Sequence, residues 1–213
     1  MLYRVTIYLL GMILNFFGVA LIINAALGAG FWTAFFVGMS DMFGYTVGFW
    51  YAVFQLIFIF VNGWLMKQLP EVRAIIPLVL ESLILDFWLE VVFTHVDWSG
   101  APIWWQLLIL ATGVMIVGLG VAVYILPQFP RAPVDQLFLA VSERFNLSLR
   151  AGQTLVAVVT ASAGFLIGGP VGLGTLAGVL FLGIVIQFWY TRVYPVYHRY
   201  APVQPVEQVS YET

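Results

Sequence analysis

Apolar residues along this chain come in runs of about twenty, interrupted by short stretches rich in Gly, Pro and polar side chains. Runs long enough to cross a hydrocarbon layer about 30 Å thick fall at 5–27, 47–66, 74–94, 105–126, 151–168 and 172–190. Two inserts are too short to span: "GAGFWTAFFVGMSDMFGYT" after the first run and "PQFPRAPVDQLFLAVSERFNLS" after the fourth. Each opens on Gly or Pro and closes on a turn signal, Gly44 or Asn146. They predict short helices at 31–43 and 134–145, either re-entrant or lying at the interface. Thr46 and Ser148 stand where the N-caps of the following spans belong.

The two inserts belong to a larger repeat. A shift of 102 residues aligns Gly11 with Gly113 and Gly18-Val19-Ala20 with Gly120-Val121-Ala122. It also pairs Ser40-Asp41 with Ser142-Glu143, Phe43 with Phe145 and Thr46 with Ser148. One gap later, Asp86-Phe87-Trp88 matches Gln187-Phe188-Trp189. Identity is low, so the order of spans and inserts carries the repeat: residues 1–95 and 103–195, each with three spans and one short helix. Three is odd, so the second half enters the membrane upside down. With the N-terminus in the cytoplasm, Arg4, Lys67, Arg73, Arg131, Arg144, Arg150, Arg192 and Arg199 all fall on the cytoplasmic side, as the positive-inside rule requires. Both termini are then cytoplasmic, and the tail 201–213, polar and rich in Pro, is expected to be disordered.

Composition narrows the class. Of the 213 residues, 62% are hydrophobic and 8% charged, against about 25% charged in a soluble domain. The chain is therefore expected to be an all-α multi-pass membrane protein, with the lipid bilayer as its surroundings. A net charge of −2 without a basic stripe argues against a nucleic-acid partner, and the absence of Cys excludes disulfides and thiol-based metal or redox sites. The first apolar run exceeds the roughly 7–15 residues of a signal-peptide core, so it is kept as a span.

Acids in the third run stand out. "LESLILDFWLE" places Glu81, Asp86 and Glu90 among Leu, Ile, Phe and Trp. Counting from Arg73 at about 1.5 Å per residue, Glu81 lies about 12 Å and Asp86 about 20 Å into the membrane, with Glu90 nearing the outer interface. An ionised group in mid-membrane costs at least about 2.5–3.5 kcal/mol, so these acids should face protein or water, be partnered, or carry a proton. Helical spacing puts Ser82, Asp86 and Glu90 on one face and Glu81 on another. The second half has Gly183, Gln187 and Thr191 at the stripe positions and Leu182 opposite Glu81. The acids are thus not needed merely to build the repeat. They suit a proton-coupling carboxylate or a counter-charge for a cationic solute, or else a protonated acid bonded to a neighbouring helix.

Other polar groups fit bland roles as well. Asp135 follows Pro133 in an order that suits a helix start. Asn15, Asn24, Gln55 and Gln187 are candidate cavity polars, or equally interhelical hydrogen-bonding groups. Glycines 11, 18, 113, 118 and 120 suit close helix packing, and the Gly-rich 168–175 segment reads as an outer hairpin. His95 with Asp97 is too sparse for a metal site. No nucleophile–base set supports an enzyme, so neither catalytic residues nor a cofactor are expected.

Gly18-Val19-Ala20 with "ALGAGFW", Gly120-Val121-Ala122 with Ala132-Pro133-Val134-Asp135, and the hairpin ending in Gly174-Thr175 with Gly183 beyond it carry a family likeness. On them the chain resembles the YczE/YitT-related group of small bacterial membrane proteins over nearly its whole length. Phe31 stands where a Pro before Trp is common in that group. The resemblance implies a bacterial cytoplasmic membrane and a permease role, without a substrate. Six spans in two inverted repeats are a recurring build of secondary transporters. The expectation is a carrier that moves a small molecule or cation by alternating access, with proton coupling open, and Asp86 and Glu81 as leading acids. A non-transporting membrane subunit that assembles with a partner, or a channel, is the alternative, and a homodimer is left open.

Overall fold

A computed structural model describes residues 2–130 and 132–200. Eight α-helices follow one another: α1 (Leu2–Asn24), α2 (Phe31–Phe43), α3 (Val47–Met66), α4 (Ile75–Asp86), α5 (Ile103–Tyr124), α6 (Pro133–Arg144), α7 (Leu149–Leu166) and α8 (Leu173–Tyr200). A 3-10 turn, Val72–Ala74, leads into α4, and a π-helical turn, Phe87–Val92, continues it. Among the described residues, extended pairing is confined to one isolated bridge, Ala29 with Val171. Among the described residues, five helices, α1, α3, α5, α7 and α8, are long and apolar enough to cross a membrane.

Local signals set the element ends. Thr46 accepts from Phe49 N at 3.1 Å and Ser148 from Ala151 N at 3.2 Å, capping α3 and α7 as expected. Gly44 and Asn146, at φ of 76° and 52°, end the short helices. The first span stops at Asn24, not 27, because Ala26 turns into the left-handed region at φ 58°. The last runs to Tyr200, not 190: its extension through Pro195 stacks Tyr197 on Tyr3 at 5.5 Å. The third run is also revised. It is α-helical to Asp86 and then π-helical, with Phe93 N donating to Trp88 O at 2.9 Å. The wide turn brings Trp88 and Phe93 to Phe17 of α1, at 4.7 and 6.0 Å between ring centres. It also breaks the Ser82–Asp86–Glu90 register, and Glu90 ends exposed.

The centre of the molecule is an antiparallel crossing of α1 and α5 with almost no side chain between the backbones. A Cβ on Gly11 would lie 2.5 Å from Tyr124 N, and one on Gly113 2.7 Å from Ile22 Cγ1. A Cβ on Gly18 would lie 2.6 Å from Val117 N, and one on Gly120 2.3 Å from Asn15 N. The shift of 102 residues exchanges the members of each pair of contacts. The short helices bridge the halves: α2 packs chiefly on α7, and α6 on α3. Ahead of α2, Thr175 Oγ1 donates to Ala29 O at 2.6 Å and Gly174 N to Leu27 O at 3.1 Å, so the α7–α8 hairpin clasps the start of α2. Ahead of α6, Arg4 donates to Pro127 O and lies over the Phe129 ring.

Candidate functional site

Helix α6 starts beside the middle of α3 and not at its end, because two polar side chains of α3 hold its first turn. Gln55, fully buried, accepts from Val134 N at 2.8 Å through Oε1. Asn62, two turns on, donates from Nδ2 to Pro133 O at 2.8 Å. Both groups belong to the single peptide unit joining Pro133 to Val134. Val134 N is a donor only, so Gln55 must turn its oxygen there and its NH2 the other way. That NH2 meets Glu81 Oε2 at 2.9 Å. Tyr51 OH donates to the same oxygen at 2.7 Å.

Glu81 is 3% exposed. It comes from α4, its two donors from α3, and Asp135 stands nearby in the first turn of α6, accepting from Tyr124 OH of α5 at 2.9 Å. Tyr8 of α1 packs edge-on to Tyr124 and donates to Pro130 O at 3.4 Å. Four helices and the start of a fifth thus converge on one buried acid whose hydrogen-bond donors are neutral. Both donors use Oε2.

Asp86 has a different use. Its carboxylate lies level with the first turn of α3, accepting from Thr46 Oγ1 at 2.6 Å and Gly48 N at 2.7 Å. A Cβ on Gly48 would lie 2.5 Å from the Asp86 carboxylate, so Gly permits the approach. Asp86 therefore caps α3 from a neighbouring helix, where free N–H groups and the helix dipole favour a negative charge. Asp86 thus sits beside the start of a neighbouring helix, engaged by its Thr46 hydroxyl and Gly48 N–H. Replacing Asp86 by Ala should cost about 1–3 kcal/mol, the penalty of stranded donors, read as a lower unfolding midpoint in detergent. Asp86→Asn, which keeps an acceptor, should recover much of that loss.

The other sequence-predicted residues scatter. Ser82 is buried and bonds Val79 O of its own helix at 3.1 Å. Asn24 folds back to Ala20 O at 2.9 Å, and Asn15 is half-buried against Gly120 at the α1–α5 crossing. Gln187 is exposed on α8, like Glu90 on the π-turn. The geometry gathers Glu81, Gln55 and Asp135, and adds Tyr51, Asn62, Tyr124 and Tyr8, which sequence reasoning does not single out. One signal for them exists: Tyr51, Gln55 and Asn62 follow spacings of four and seven, a polar line on one face of an apolar helix.

Fold and site together define an all-helical membrane protein built around a buried carboxyl that lies against the start of a short inserted helix. The chain belongs to the family of unknown function DUF6198, whose model matches residues 2–191. It is 27% identical over 180 residues to "Uncharacterized protein YyaS" of Bacillus subtilis (strain 168), covering 84% of this chain and 89% of that one. It is 26% identical over 186 residues to "Uncharacterized membrane protein YczE" of the same organism, covering 87% and 84%. An uncharacterized protein of Haemophilus influenzae matches at 34% over 77 residues, 36% of this chain and 35% of its own. These matches bear out the YczE-related resemblance. No solved structure matches the chain.

Proposed function

We propose that this protein is a carrier of six spans in two inverted repeats, moving a small solute by alternating access with a proton carried on Glu81. The observation that carries this reading is the buried Glu81, held by neutral Tyr51 and Gln55 against the α6 start. Ionising such a group costs several kcal/mol unless water or a cation reaches it. A carboxyl there exchanges its proton when the surrounding helices open, which is what coupling requires. The sixth span is α4 with its π-helical continuation, 75–92. The exchanged glycine contacts, and the way each short helix packs across to the other half, support the inverted repeat. Asp86, engaged as a cap, leaves the coupling role to Glu81.

The family resemblance points to a bacterial cytoplasmic membrane, and the basic residues argue for both termini on its cytoplasmic face. Arg4 beside Pro127 and Tyr3 on Tyr197 agree with this, since they gather the start of α1, the end of α5 and the end of α8 on one side. One observation favours a non-transporting subunit or a homodimer instead: Gln187 lies on an exposed face of α8, where a polar group in lipid calls for a partner. Solute uptake into proteoliposomes under an imposed pH gradient separates these readings. Uptake that follows the gradient and collapses with a protonophore supports the carrier. A preparation that moves no solute from a broad panel, gradient or not, favours the subunit.

A further inference from the structure

Below Glu81, on the side where α3 ends, a narrow slot of about 10 Å³ lies between the end of α3, the 68–71 loop and α6. Asn62, Gln136, Gln68 and Glu71 line it, and Gln68 and Glu71 are themselves exposed. Its size is that of one water-sized sphere. Asn62 is 2% exposed, and its Oδ1 is a buried acceptor with no hydrogen-bond partner among the described residues. Its orientation is fixed, because Pro133 O accepts only and therefore takes the NH2. Asn62 lines the slot, and its oxygen is the polar end left over from that bond. A buried acceptor of this kind calls for a donor.

From Asn62 the bonds run in one direction. Asn62 NH2 donates to the carbonyl of the 133–134 peptide, the N–H of that peptide donates to Gln55, and Gln55 NH2 donates to Glu81. Three amides in series are all polarised toward the carboxyl, and hydrogen bonds in a chain strengthen one another. We propose that the slot at Asn62 binds one small hydrogen-bond donor, a water molecule or an ammonium-sized cation, and that the amide chain carries its polarising effect to Glu81. This rests on Glu81 as the proton carrier. A donor at Asn62 favours the Glu81 anion, so occupancy of a slot at the end of α3 eases release of the proton two helical turns away. The titratable groups facing Glu81 are Tyr51 of α3, Asp135 of α6, Tyr124 of α5 and Tyr8 of α1. None of these lies on the amide chain.

The test is the infrared carbonyl band of protonated Glu81 in the reconstituted full chain, identified by its loss in Glu81→Gln. At the pH where half of Glu81 is protonated in the wild type, Asn62→Leu should shift the proton equilibrium about tenfold toward the acid, the size of one charge-assisted hydrogen bond. Gly63→Ala gives a second variant that keeps the Asn62 amide. Its Cβ, 3.0 Å from Gln68 O, crowds the slot wall and should shift the equilibrium the same way by a smaller factor. Replacing tetramethylammonium chloride with ammonium chloride should weaken the wild-type band if the cation is the occupant and leave it unchanged if water is. An unchanged equilibrium in both variants overturns the proposal. Absence of any band that depends on Glu81 would instead overturn the proton-carrier reading itself.

Discussion

Glu81→Gln should abolish gradient-driven uptake, by more than tenfold, while leaving the fold in place. Gln has the shape of Glu and keeps an oxygen that can accept from Tyr51 OH and Gln55 NH2, the two bonds that hold Glu81 at 2.7 and 2.9 Å. What it loses is the exchangeable proton. The stability change should therefore be small, within about 1 kcal/mol, because Tyr51 and Gln55 both keep an acceptor. Asp86→Asn is the control. It removes an acid from the same helix, but from a cap at the α3 N-terminus, so it should spare the pH dependence of uptake and cost less stability than Asp86→Ala. If the two variants behave the other way round, the assignment of roles to the two acids is wrong.

The second large effect belongs to the α1–α5 crossing. Gly120→Leu puts a Cβ 2.3 Å from Asn15 N, a backbone atom that cannot rotate away, so the helices must part. Replacing Gly by Leu within a helix gains about 1 kcal/mol of intrinsic propensity, whereas overpacking typically costs about 1–3 kcal/mol and more when backbone must move. The clash should win, and the unfolding midpoint of the purified protein should fall by several degrees. Gly183→Leu is the contrast: a Cβ there meets nothing within 4 Å, so the propensity gain should stand alone and the midpoint should hold or rise. Equal behaviour of the two variants would contradict the close crossing.

Local chemistry made parts of this fold legible. Thr46 and Ser148 read as caps because a hydroxyl before an apolar run meets its own helix's N–H groups within one turn. The glycines at 11, 18, 113 and 120 were legible for the same reason that the repeat was, since both halves need the same close approach. Asp86 was not. Its acids-in-a-stripe pattern assumed an unbroken α-helix, and only lateral packing shows that α3 presents its free N–H groups there. Tyr51 is hidden because an aromatic residue in an apolar run reads as core, and its hydroxyl matters only once Glu81 is across from it. The π-turn leaves no mark in the sequence either. It shows only in the fold, where it sets Trp88 and Phe93 both against Phe17.

The central claim is that Glu81, and not Asp86, holds the exchangeable proton. Infrared pH titration of the reconstituted wild type, Glu81→Gln and Asp86→Asn tests it most directly. A protonated-carboxyl band that titrates in the wild type, persists in Asp86→Asn and is gone in Glu81→Gln is the predicted result. A band that survives Glu81→Gln and disappears in Asp86→Asn would contradict it.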